Sequence, residues 1–193
     1  MDKRPVYRLD FPPLHTRPNL FYRAYTLLGE LTPIHADCGQ LCGGACCNGG
    51  EEEGMLLFPG EEVFLQKLYD LCPEADRDAY TVRTDGGRQL YICRGSCQRT
   101  YRPLACRIFP LFPTLETDGR IRVMTDPRAF RVCPMVQAAA RLDRRFIRTV
   151  RRVGRLLTSD PACRDFLLAQ TKELQALTRL IPLEKGFHPI RYR

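Results

Sequence analysis

The stretch "CGQLCGGACC" at positions 38–47 places four cysteines, Cys38, Cys42, Cys46 and Cys47, within ten residues. Thiols this close in sequence have three uses: disulfide bonding, metal ligation, or burial as small apolar groups. Each use demands a different fold. The rest of the chain narrows the choice. With 193 residues, 44% of them apolar and 27% charged, the chain is long enough to bury a core without a disulfide scaffold. Its opening, "MDKRPVYRLDFPPLHTRPNL", breaks any apolar run with charges and prolines, unlike a signal peptide. No stretch approaches the roughly 20 apolar residues that cross a bilayer. These features point to a cytoplasmic chain with no membrane contact. Cytosolic thiols stay reduced unless they are catalytic, redox-sensing or metal-bound. Ten cysteines is an even number, so disulfides stay arithmetically open, but metal is the leading reading.

Periodicity organises the remainder. Leu20, Ala24, Leu27, Leu28 and Leu31 recur at helical spacing over residues 18–31, with Pro33 beyond them. A second helix is expected from Glu61 to Leu71, with Phe64, Leu65, Leu68 and Leu71 inward. Two hairpins follow. "YTVRTDGGRQLYIC" turns at Asp85-Gly86-Gly87, and "LFPTLETDGRIRVMT" turns at Asp118-Gly119. Pro134 opens a long helix expected to reach Leu157. Asp160 and Pro161 then cap a last helix that runs to about Ile181. The five glycines Gly39, Gly43, Gly44, Gly49 and Gly50 predict a loop around the first cysteines rather than a helix. A helix there would put Cys38, Cys42 and Cys46 on one face.

The expected fold is α+β: a cysteine-rich loop and two β-hairpins form a metal site, packed against four or five α-helices. One domain covers 1–193, with a cysteine-rich region over 34–134 and a helical hairpin over 134–182. Four further cysteines, Cys93, Cys97, Cys106 and Cys133, lie in "YICRGSCQRTYRPLACRIFP" and "RVCPM". Thiolate is the preferred ligand of zinc and of iron–sulfur clusters, and a four-coordinate site takes four. Eight cysteines fill two sites, or one with spares. Cys46 and Cys47 point to opposite sides if the backbone there is extended.

The order C-x3-C…CC, two more cysteines, "RP-x2-C-R-x-F-P" and a last cysteine resembles the CxxCxxCC domain family, whose members chelate zinc or iron. The likeness runs from Cys38 through Cys42, Cys46, Cys47, Cys97, Arg102-Pro103, Cys106-Arg107 and Phe109 to Cys133. Cysteine-rich proteins related to flagellin lysine methylase belong to that family. The resemblance therefore implies metal bound by Cys38, Cys42, Cys46, Cys47, Cys93, Cys97, Cys106 and Cys133. It also implies an enzymatic alternative, a metal-dependent methyl or group transfer. Three residues separate Cys42 from Cys46, where the family more often has two.

No C-x2-C knuckle of the structural zinc type occurs. The wider spacing, and proline after Cys133, favour an iron–sulfur cluster, 4Fe–4S first, over zinc. Four thiolates around zinc or a doubly charged cubane leave about two negative charges. Arg94, Arg107 and Arg131 are candidates to offset them. His35 is the only histidine near the cysteines and reads as an exposed loop residue. Cys72 and Cys163 lie on apolar helical stripes and read as core residues rather than ligands. No Gly-rich phosphate loop, H-E-x-x-H or G-x-S-x-G motif is present, and no cysteine has an evident base partner, so catalytic residues are not assigned. The segment "RLDRRFIRTVRRVGR", Arg141 to Arg155, holds seven arginines against one aspartate, +6 of the chain's formal +8. Leu142, Phe146, Val150 and Val153 form its apolar stripe. The arginine face suits an acidic protein or a nucleic acid, and a zinc-stabilised nucleic-acid-binding module is the third function reading.

Overall fold

Helices supply the frame because their apolar stripes pack on one another and on a small sheet. The computed structural model describes residues 17–48, 54–71, 80–95, 99–180 and 191–192. Helix α1 (Arg17–Leu28) buries Leu20, Phe21, Ala24, Tyr25 and Leu28, one face of a 3.6-residue repeat. It stops at Gly29, whose φ of 46° favours glycine. Helix α2 (Cys38–Cys42) is a single turn, and a 3-10 turn follows at Ala45–Cys47. Strand β1 (Met55–Leu56) leads into α3 (Glu61–Asp70). Strands β2 (Tyr80–Asp85) and β3 (Arg88–Cys93) pair with Asp85 opposite Arg88. That register leaves only Gly86 and Gly87 to turn the chain, both at positive φ as a tight hairpin requires. β1 adds to the other side of β3, giving the order β1-β3-β2.

A 3-10 turn at Arg99–Tyr101 precedes α4 (Leu104–Ile108). Strands β4 (Leu111–Leu115) and β5 (Ile121–Thr125) form the second hairpin, and β6 (Arg191–Tyr192) adds to β5. All five residues of β4 are buried, because α7 (Arg144–Leu157) and α8 (Pro161–Leu180) both pack on that strand. Between them and β5 come α5 (Ala129–Val132) and α6 (Pro134–Gln137). α1 packs on α7 and on α3. One continuous cluster of buried side chains runs from Leu20 and Phe21 through Phe58, Ile108 and Val123 to Leu167 and Leu174. The architecture is mixed α+β with small antiparallel sheets.

Three local expectations need correction. The glycine-rich stretch is helical from Cys38 to Cys42, because Asp37 accepts a hydrogen bond from Gly39 N (3.0 Å) and Gly43 closes the turn at φ 62°. The glycines thus end a helix rather than prevent one. The long helix from Pro134 to Leu157 is two helices. Asp143 caps α7 by accepting from Arg145 N at 2.6 Å, and its own N–H donates to Pro33 O at 2.8 Å. A crossing strand of chain outcompetes helical continuity there, so α6 is no part of a helical hairpin, and Leu142 is buried just outside α7. Leu71, expected inward, is 49% exposed at the end of α3. Asp160 does cap α8, accepting from Cys163 N at 2.9 Å. The end of that helix beyond Leu180 lies outside the described residues.

Candidate metal centre

Short elements from three parts of the chain deliver the cysteines. α2 and the 3-10 turn after it carry Cys38, Cys42, Cys46 and Cys47. α4 carries Cys106, and Cys133 closes α5, donating its N–H to Ala129 O at 2.7 Å. α5 packs against the 3-10 turn, which brings Cys133 towards the first group. β3 ends at Cys93, and two residues later a side chain at Gly95 would meet Cys47 O at 3.7 Å. Cys97 and Cys72 lie outside the described residues. None of the eight described cysteines is in a disulfide.

The thiols act on one another. The Cys46 thiol is held below its ordinary proton affinity, chiefly by a hydrogen bond with Cys47, against burial and the charges of Cys106, Cys42 and Cys38. Burial pushes the Cys38 thiol up, helped by Cys42, Asp37 and Cys133, while Arg102 pulls it down. Cys38, Cys42, Cys46, Cys47, Cys106 and Cys133 thus share one electrostatic neighbourhood, reached from three chain segments. Cys163 stands apart, fully buried in α8 with its Sγ 3.6 Å from Pro59 O. Among the described residues no three His, Cys, Asp or Glu side chains converge closely enough to hold a metal ion. The thiols are gathered without being closed around a point.

A buried polar network fixes α4, and with it Cys106. Glu61, at the start of α3, is fully buried. Its Oε1 accepts from Tyr25 Oη at 2.7 Å and from Leu104 N, and its Oε2 accepts from Phe58 N at 3.1 Å. Burial pushes this carboxyl up to about 6, although all three donors oppose the shift. Burial and the neighbouring Glu61 raise the Tyr25 hydroxyl well above its usual range. Arg107 is not a counter-ion at the cluster's edge as the sequence suggested. It is buried, donating from Nη2 to Arg99 O at 2.6 Å and from Nε to Arg102 O at 3.1 Å, with its guanidinium 4.5 Å from the Tyr25 ring centre. The arginines whose charges reach Cys38 are Arg99 and Arg102. Sequence reasoning missed Glu61 too, because a glutamate in a first helical turn normally reads as a solvated dipole partner.

Beside this assembly lies a cleft of about 490 Å3, lined among others by His35, Asp37, Arg99, Arg102, Asp143 and Arg145. His35 is exposed and stands 3.6 Å from Asp143, facing this cleft rather than joining the thiols. The β4–β5 hairpin contributes no cysteine; it supports α7 and α8. Comparison with protein-family models, curated proteins and solved structures gives no match. Among the described residues, no helix is long and apolar enough to cross a membrane.

Proposed function

We propose that this chain is a metal protein whose cysteines ligate an iron–sulfur cluster or zinc. The observation that carries the reading is the electrostatic coupling of Cys38, Cys42, Cys46, Cys47, Cys106 and Cys133, which come from distant parts of the sequence into one neighbourhood without closing around a point. Thiols assembled in this way, with Arg99 and Arg102 both acting on Cys38, form a donor set of the soft kind those metals prefer. The resemblance to the CxxCxxCC family supports the same ligands and adds Cys93 and Cys97. Arg102-Pro103, Arg107 and the Glu61 network would hold α4 in register so that Cys106 faces the other thiols. The bound group would supply structural cross-linking, or electron transfer if it is a cluster.

A second reading, metal-dependent group transfer, has one observation in its favour. The cleft lined by Asp37, Arg99 and Arg102 adjoins the helix that begins at Cys38, where a substrate of the centre would sit. Anaerobic purification followed by metal analysis and visible absorption tests the main proposal. Stoichiometric iron with sulfide and broad visible absorption identifies a cluster; stoichiometric zinc in colourless protein identifies a zinc site. Anaerobically purified protein without bound iron or zinc would overturn the reading.

A further inference from the structure

The arginines of α7 do not stand alone. Arg151 and Arg155, one helical turn apart, line one cleft together with Arg120 and Arg122 of β5 and the turn before it. This open cleft measures about 660 Å3, with Ile121 and Thr158 also at its wall and, among the described residues, no acidic side chain lining it. Asp118 reaches Arg120 from outside the cleft, 3.6 Å away across a well-exposed pair. Arg151 donates to the neutral carbonyl of Tyr192 at 2.9 Å. Among the described residues, four guanidinium groups are therefore held together against one carboxylate.

From the cleft the charge continues along α7. Arg144, Arg145, Arg148, Arg152 and Arg155 are all exposed. At about 1.5 Å per residue, Arg144 to Arg155 spans about 17 Å, the axial rise of about five nucleotides on one strand. We infer that this surface binds the phosphodiester backbone of a nucleic acid, with the four-arginine cleft as its anchor, independently of any metal. The guanidinium fork matches phosphate oxygens in pairs. An acidic protein partner fits less well, since protein interfaces need buried apolar or aromatic anchors. Among the described residues the exposed large apolar side chains, Tyr22, Leu41, Val63, Leu71, Val82, Val132 and Leu180, all lie outside the cleft lining. Among the described residues no aromatic ring lines the cleft to stack on bases, so recognition is independent of sequence.

The test compares full-length protein with two double variants of equal charge. Arg120→Gln with Arg155→Gln empties the cleft of two exposed cations. Arg23→Gln with Arg164→Gln removes two exposed cations elsewhere. Probes are unrelated oligonucleotides of about 20 nucleotides, single- and double-stranded, with polyglutamate and anionic lipid vesicles as competing polyanions. The cleft variant should lose at least about tenfold in affinity at low salt, and its log K against log salt slope should flatten by about 1.4–1.8 for two lost phosphate contacts. The second variant should change affinity by less than about threefold. Circular dichroism confirms that both variants are folded. Equal losses in the two variants, equal binding of polyglutamate or vesicles, or no oligonucleotide binding at low salt would each overturn the assignment.

Discussion

Two buried groups with opposite outlooks define the residue scale. Cys163 and Cys133 are both buried, yet only Cys133 shares the electrostatic neighbourhood of Cys38. Cys163→Ser should lower stability by about 1 kcal/mol, as a hydroxyl replaces an apolar thiol, and leave metal content unchanged. Cys106→Ser and Cys133→Ser should each reduce bound metal. Metal analysis of the three purified variants decides it, and metal lost from Cys163→Ser but kept in Cys133→Ser would reverse the division. Glu61 gives a prediction in pH. Burial raises its folded-state carboxyl from the ordinary 4.5 to about 6. The folded protein thus takes up this proton more readily than the unfolded chain. The associated stability is complete below pH 4.5 and is lost as pH rises through about 6, a change of about 2 kcal/mol. Glu61→Gln has no such proton. Urea unfolding of both proteins at several pH values should show the wild type gaining on the variant as pH falls through this window. A pH-independent difference would mean that the three hydrogen-bond donors cancel the burial penalty.

At the scale of elements, α7 depends on close approach. Gly154 sits in mid-helix, where glycine is ordinarily about 1 kcal/mol worse than alanine. A Cβ there would stand 2.6 Å from Pro113 Cβ and 2.9 Å from Ile121 Cγ2, too close for either to remain in place. Gly154→Ala should therefore destabilise the protein by about 1–3 kcal/mol, against the sign that helix propensity gives. Thermal unfolding checks the sign directly; a raised melting temperature would mean that the hairpin yields without loss. Helix α8 meets the same strand differently, with Thr171 Oγ1 accepting from Leu115 N at 3.0 Å in the core. Both contacts fix the β4–β5 hairpin under the helices, and with it the position of Arg120 and Arg122 beside Arg151 and Arg155.

At the scale of the whole molecule, the cysteine segment has little support from apolar packing. Neither α2 nor the 3-10 turn after it buries a single residue, and Leu41 is 71% exposed. Elements without a buried face gain little from the hydrophobic effect. If metal is bound, coordination supplies much of the order there. Removing metal with a chelator should open this segment to protease before the helical core. It should also lower the melting temperature by about 4–8 °C, the shift expected for about 2 kcal/mol in a chain of this size. Metal-depleted protein with unchanged melting and unchanged cleavage would show that the segment holds itself.

The residues themselves determined the α+β class, both hairpins with their Gly86-Gly87 and Asp118-Gly119 turns, the α1 stripe, and the cap of α8 at Asp160. Each rests on short-range physics: the period of a pattern, the φ that a turn demands, the acceptor that a helix start needs. The cysteine positions worth attention were also legible, because thiols in that density have few other uses. What only the tertiary structure decided is where distant segments meet. Asp143 is held between two helices by its bond to Pro33, and Arg107 turned inward because the carbonyls of Arg99 and Arg102 were there to receive it. Glu61 became a buried anchor because Tyr25 and Leu104 close over it. The gathering of Cys38, Cys106 and Cys133, and the meeting of two arginine pairs at one cleft, have the same origin. Periodicity records which face of an element is apolar; it holds no record of which polar groups the packed faces bring together.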